Sequence, residues 1–208
     1  MREGRDIAPV INELLSLPFI LRIATRDFHP DGHISFASSH SPPNNVPFQS
    51  KVEIRNPRND SERFSIPLWP VHCVQNTDGA EFIPELHASK FDKVVNKGRQ
   101  KTLEMFSGFA DVFGHQSSDA TDVDLTQLLS ADEITHVFAV GLAGDYCVKH
   151  TALDARKRGF EVLLVEEGIK SIDPGDAGWI QAKKDMENVG IQFVHLDGQE
   201  LGRLRENM

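Results

Sequence analysis

The chain alternates between short unbroken apolar runs and longer stretches whose apolar residues recur every three or four positions. Phe19-Ile-Leu-Arg-Ile-Ala24, Asp92-Lys-Val-Val-Asn96, His136-Val-Phe-Ala-Val140, Glu161-Val-Leu-Leu-Val165 and Ile191-Gln-Phe-Val194 are the short runs. Such runs predict strands buried on both faces of a sheet. Ile7, Val10, Ile11, Leu14 and Leu15 fall on one face of a helix that Asp6 can cap. Further helices are expected around Val123 to Leu129, after the turn at Gly141 and Gly144 through Tyr146, Val148, Ala152, Leu153 and Ala155, and over Gly175 to Asn188. Another apolar-periodic segment surrounds Phe82, Ile83 and Leu86. Strands and helices in alternation predict an α/β fold of three αβα layers, with a mainly parallel sheet. Residues 1–208 are expected to form a single domain. Residues 41–67 interrupt the pattern, being rich in Pro, Asn, Ser and charge, with Lys51-Val-Glu-Ile available as a short edge strand. A loop this long is expected to be a lid over a pocket, or else disordered.

Composition narrows what such a fold could do. At 208 residues, with 39% apolar and 25% charged content, the chain can bury one substantial core. Its net charge of −9 disfavours nucleic acid and anionic membrane as partners, both of which ask for clustered Lys and Arg. A small neutral or cationic molecule fits better. The two cysteines, Cys73 and Cys147, are expected to be free thiols in a cytoplasmic, or also nuclear, setting. No apolar stretch approaches membrane-spanning length, and no leader pattern is expected.

In parallel sheets, ligands collect beyond the carboxyl ends of the strands. Asp27 and His29 follow the first predicted strand, Lys97 the second and Cys147 the third. Cys147 is predicted to lie in the first turn of a helix, where unpaired N–H groups and the helix dipole favour a thiolate. It reads equally as a buried structural cysteine. Asp27 and His29 project to one side if the backbone stays extended, and His72, in Trp69-Pro-Val-His72, could complete a three-ligand O/N site. Zinc is the default ion, with manganese or iron as alternatives. With nine histidines, Asp-x-His can also be a chance spacing in a solvated loop, and His33 and His40 read as structural or surface residues. Lys97 could hold a thiolate or oxyanion by charge, or could be a surface lysine. Asp145 reads as a helix cap.

Together these residues resemble the nicotinamidase branch of the isochorismatase-like cysteine hydrolases. The match runs in order through Thr25-Arg-Asp-Phe-His29, His33-Ile-Ser-Phe-Ala37, Trp69-Pro-Val-His-Cys73, Lys97-Gly98, Ser107-Gly-Phe109 and Gly141-Leu-Ala-Gly-Asp-Tyr-Cys-Val148. The resemblance implies that Asp27, His29 and His72 hold a zinc-like ion to which the pyridine nitrogen of nicotinamide binds. It implies that Trp69 and Tyr146 contact the ring, that Cys147 attacks the carboxamide and that Lys97 sits beside the thiolate. A cis peptide between Leu142 and Ala143 would aim the N–H groups of Ala143 and Cys147 at the oxyanion. The product would be nicotinate, with ammonia released, and the protein could be a homo-oligomer.

Two departures from that pattern stand out. Gly144 replaces a residue that usually carries a hydroxyl or a larger side chain, which is expected to loosen the catalytic turn. The family's first central strand, which ends in the aspartate that serves as general acid and base, has no counterpart in the sequence. The expected fold is therefore an isochorismatase-like hydrolase lacking that strand, and a truncated chain or a late-assigned start is expected. Two alternatives remain: a noncatalytic protein that keeps the metal and ligand sites, and a hydrolase of another small amide.

Overall fold

The computed structural model describes residues 3–206, so the start at Met1 lies outside the described residues. In chain order the elements are α1 (Ala8–Leu14), β1 (Ile23–Asp27), β2 (Lys51–Asn56), β3 (Asn59–Pro67), β4 (Lys93–Lys97), α2 (Leu125–Ala131), β5 (His136–Leu142), α3 (Lys149–Lys157), β6 (Glu161–Lys170), α4 (Gln181–Glu187), β7 (Gln192–Val194) and α5 (Gln199–Arg205). They pack as two compact units, one made of Met1–Ala24, Phe82–Val94 and Leu125–Met208, the other of Thr25–Glu81 and Val95–Asp124.

The first unit is built on a parallel sheet in the order β5-β6-β7. Side chains of β6 alternate between its two faces. Leu163 and Val165 join Leu14, Leu17, Val194 and Leu201 in one apolar cluster, so α1 and α5 cover that face. Val162 and Leu164, both fully buried, point the other way, and α3 and α4 pack on β6 and β7. Helix, sheet and helix form three layers here, as the sequence pattern predicts.

The second unit contains the β2–β3 hairpin, antiparallel from Lys51↔Pro67 to Arg55↔Arg63, with an irregularity at Asn56. Most of the expected loop at 41–67 is therefore regular structure. Charged residues hide the alternation of Val52 and Ile54 against Phe64 and Ile66, of which Ile54 and Ile66 are fully buried. Among the described strands β1 pairs only with β4, and β5 only with β6, so each has one edge without a strand partner.

Several boundaries differ from expectation for identifiable reasons. The first strand begins at Ile23 rather than Phe19 because the preceding residues are tied up locally. The Arg22 guanidinium donates to the carbonyls of Leu15 and Leu17, its N–H goes to Asp92, and the Phe19 ring packs 5.4 Å from that of Phe138. Asp6 makes no capping bond; it lies in a 3-10 turn (Gly4–Ile7), and α1 opens with a proline in its first turn. The segment around Phe82 stays irregular apart from a 3-10 turn at Ala88–Lys90. Helix α5 escaped notice because only Leu201 and Leu204 mark its apolar side. No described helix is long and apolar enough to cross a membrane.

Candidate active site

In the second unit, β1 ends at Asp27, and an isolated parallel bridge between His29 and Val74 holds the next residues beside the Trp69–His72 turn. The ligand atoms of Asp27, His29 and His72 come within 4.8 Å of one another. The histidine tautomers suit metal binding. Nδ1–H of His29 donates to the Gly98 carbonyl and that of His72 to the Pro70 carbonyl, both at 2.8 Å, which leaves each Nε2 with a lone pair. Burial keeps His29 neutral by pulling its pKa down to about 4, against the partly opposing pull of Asp27. Burial alone would raise the Asp27 carboxyl, but Lys97, with help from His29 and His72, holds it well below the usual carboxylate range. One carboxylate oxygen and two imidazole nitrogens fit a zinc-like ion.

Lys97 is fully buried, and its ammonium donates to Asp27 Oδ1 and, at 3.0 Å, to the Met105 carbonyl. The surface-lysine reading is thereby excluded. The next residue, Gly98, has φ +66°, and a Cβ there would stand 2.5 Å from His29 Cε1. Glycine is what lets the imidazole lie against this turn.

His33 is a residue whose contribution sequence reasoning understated. Its ring stacks on that of His29, centroids 4.1 Å apart. Nε2–H donates to the Leu103 carbonyl at 3.0 Å, and Nδ1 accepts from the Ser35 hydroxyl at 2.8 Å. Although His29, His33 and Glu104 form a second cluster within ligating distance, both nitrogens of His33 are thus already engaged. Burial, reinforced by His29, holds the His33 pKa near 3, and burial together with Asp27 pushes Glu104 up to about 7. No spacing rule would have singled out Glu104, and its relevance emerges only from the fold. His40 Nε2–H donates to the Ile34 carbonyl at 2.7 Å and takes no part in this cluster.

Trp69 lies next on the same segment. Its N–H donates to the Ser35 carbonyl and its carbonyl accepts from Ala37, both at 2.8 Å. The indole is 8% exposed and meets the Phe48 ring edge-on at 5.8 Å between centroids.

Cys147 lies in the first unit, shortly after β5. The Leu142–Ala143 peptide is cis, as the resemblance implied. Gly144–Val148 then forms a π turn closed by Val148 N–H to the Ala143 carbonyl at 3.0 Å, which continues into α3. Cys147 therefore sits in a widened turn ahead of the α-helix rather than in its first turn; such turns recur at functional sites. The expectation for Gly144 is overturned: the turn is filled, not loose. A Cβ at Gly144 would lie 2.5 Å from Ser171 Oγ, 2.7 Å from Ile169 Cγ2 and 2.8 Å from Trp179 Cζ3. Asp145 is not a cap, since its carboxylate instead accepts the N–H groups of Ile172 and Asp173, at 3.0 and 2.9 Å, fastening the turn to the loop after β6. Tyr146 is half-buried, and burial with Asp145 and Asp173 raises its pKa, so its hydroxyl stays protonated.

Comparison with known proteins places these residues in context. The isochorismatase domain family matches residues 36–195. A nicotinamidase from Schizosaccharomyces pombe is 35% identical over 191 residues, covering 91% of this chain and 81% of the relative. The yeast nicotinamidase bound to the inhibitor nicotinaldehyde superposes with a TM-score of 0.84 at 28% identity, covering 94% of this chain and 90% of its own. A pyrazinamidase of Pyrococcus horikoshii in complex with zinc gives a TM-score of 0.68 at 33% identity, with 94% and 88% covered.

Proposed function

The chain belongs to the isochorismatase domain family, and within it we propose the activity of a nicotinamidase, hydrolysing nicotinamide to nicotinate and ammonia. The observation that carries this reading is the clustering of Asp27, His29 and His72 with both imidazoles turned to offer Nε2. A bound divalent ion, zinc by the character of these donors, would supply a Lewis-acid anchor for a pyridine nitrogen. An amide without such a nitrogen would have no use for it.

The protein's own residues then divide the work. Trp69 flanks the ring and Tyr146 contacts it. The Cys147 thiolate attacks the carboxamide carbon, forming a carbon–sulfur bond, while the N–H groups of Ala143 and Cys147 receive the developing oxyanion. Lys97 lends positive charge to the reacting centre. Collapse breaks the carbon–nitrogen bond, ammonia leaves with the proton given up by the thiol, and water hydrolyses the thioester to the acid. None of the residues assigned here ferries that proton. Lack of a general acid and base typically lowers rate by about 10²–10⁴.

The test is ammonia release from nicotinamide by the zinc-loaded protein, measured beside Cys147→Ala. Release above that variant is expected, and none would end the reading of the protein as a nicotinamide hydrolase. A second reading, noncatalytic binding of the same ligand, is favoured by the unassigned proton carrier. It would be upheld by calorimetric binding of nicotinamide without turnover, lost on chelation.

A further inference from the structure

Phe48 combines features that core packing alone does not require. Its ring is 61% exposed, and its backbone is held at φ +65°, a region that bulky side chains seldom occupy. The turn that carries it is firmly built. Ser50 N–H donates to the Val46 carbonyl at 2.9 Å, and Val46 N–H to the Ser50 hydroxyl at 3.1 Å, closing a loop with Phe48 at its tip. Two further bonds tie the turn to the residue before Trp69: Phe48 N–H to the Leu68 carbonyl at 2.7 Å, and Leu68 N–H to the Ser50 carbonyl at 2.9 Å. From this anchored tip the phenyl edge meets the indole of Trp69, at an interplanar angle of 76°. An exposed aromatic fixed in an uncommon conformation, with its ring edge-on to Trp69, is placed to serve that tryptophan rather than the core.

We infer that Phe48 is a positioning residue that sets the plane of Trp69 and so selects flat heteroaromatic carboxamides. The inference rests on the nicotinamidase reading given above. A ring stacked on Trp69 is held only if the indole keeps one rotamer. The partly open 46–50 turn then acts as the outer brace of the ring subsite. Phe48 touches no reacting atom, so its loss should weaken ring binding and leave the chemical step alone.

The experiment compares wild type, Phe48→Ala, Phe48→Leu and Phe48→Tyr. With nicotinamide, Ala and Leu are expected to raise KM about 3- to 10-fold with kcat within about twofold, and Tyr to restore KM, since an edge-on aromatic contact contributes that much. Tryptophan emission of the ligand-free protein should shift in Ala and Leu but not in Tyr, a readout independent of turnover. Phe48→Leu keeps an apolar side chain of similar size, so a general folding defect would spare it or strike kcat as well. Unchanged KM and emission in Ala and Leu, or kcat falling in step in both, overturns the inference while nicotinamidase activity stands. Inactive wild type with shifted emission overturns the nicotinamidase reading and leaves the brace in place.

Discussion

Gly98 and Gly144 each carry a constraint that a single methyl group would break. At Gly98 a side chain would have to share space with the His29 ring in a left-handed backbone. Gly98→Ala is therefore expected to turn His29 out of line and weaken zinc binding about 10- to 100-fold, the usual cost of losing a ligand's outer partner. Zinc titration of the correctly folded variant checks this. At Gly144 the neighbours are Ser171, Ile169 and the Trp179 ring. Gly144→Ala should destabilise the protein by about 1–3 kcal/mol, seen as a lower urea midpoint. From sequence, Gly144 looked like a gap in the family's pattern. Only the fold reveals that side chains distant in sequence occupy the space.

Among the elements, the π turn ahead of α3 depends on a contact that no local pattern encodes. Asp145 receives two backbone N–H groups from the loop after β6, and it is largely buried. Asp145→Ala should strand both donors and cost about 2–4 kcal/mol, measured by chemical denaturation, whereas Asn keeps one acceptor and should lose less. The strands β4 to β7 were legible because continuous apolar runs survive in any context, as in Val162 to Val165. Of the β2–β3 hairpin only the first strand, from Lys51, was legible, because only one face of the hairpin is covered and its other face carries Lys, Glu and Arg. Asp27, His29 and His72 were readable as a candidate ion site through family resemblance, since bare Asp-x-His spacing would not have separated them from chance. The packing of His33, Ser35 and Glu104 behind it depends on the 103–105 segment returning to the same place, which sequence spacing does not reveal.

For the molecule as a whole, buried titratable groups predict how stability follows pH. His29 and His33 have folded pKa values of about 4 and 3, below the ordinary 6.5, so the unfolded chain binds more protons as pH falls. Their stabilisation is complete above pH 6.5 and is lost on acidification, by up to about 1.4 kcal/mol per pH unit for each histidine. Glu104 acts oppositely: with a folded pKa of about 7 it gains stability between pH 7 and 4.5. One histidine is thus offset until pH 4.5, and metal-free protein should lose stability gradually there and steeply below. Urea midpoints at pH 7, 5.5 and 4 check the curvature, and a flat profile would contradict the assigned burial. Zinc at a hundredfold excess over its Kd should add about 2.7 kcal/mol at pH 7, an increment that chelation reverses.

Cys73 is the chain's other cysteine, and its surroundings bear on chemistry at the bench. Burial, then the Asp27 carboxylate, pushes its pKa to about 11, so at neutrality only about one molecule in ten thousand carries the anion there. An alkylating dye should therefore attach once per polypeptide, at the sulfur beside α3, making a site-selective reporter available without removing either thiol. Mass spectrometry of the tagged peptide would show it, and equal tagging at both sites would mean that the Cys73 thiol ionises more readily than its environment indicates.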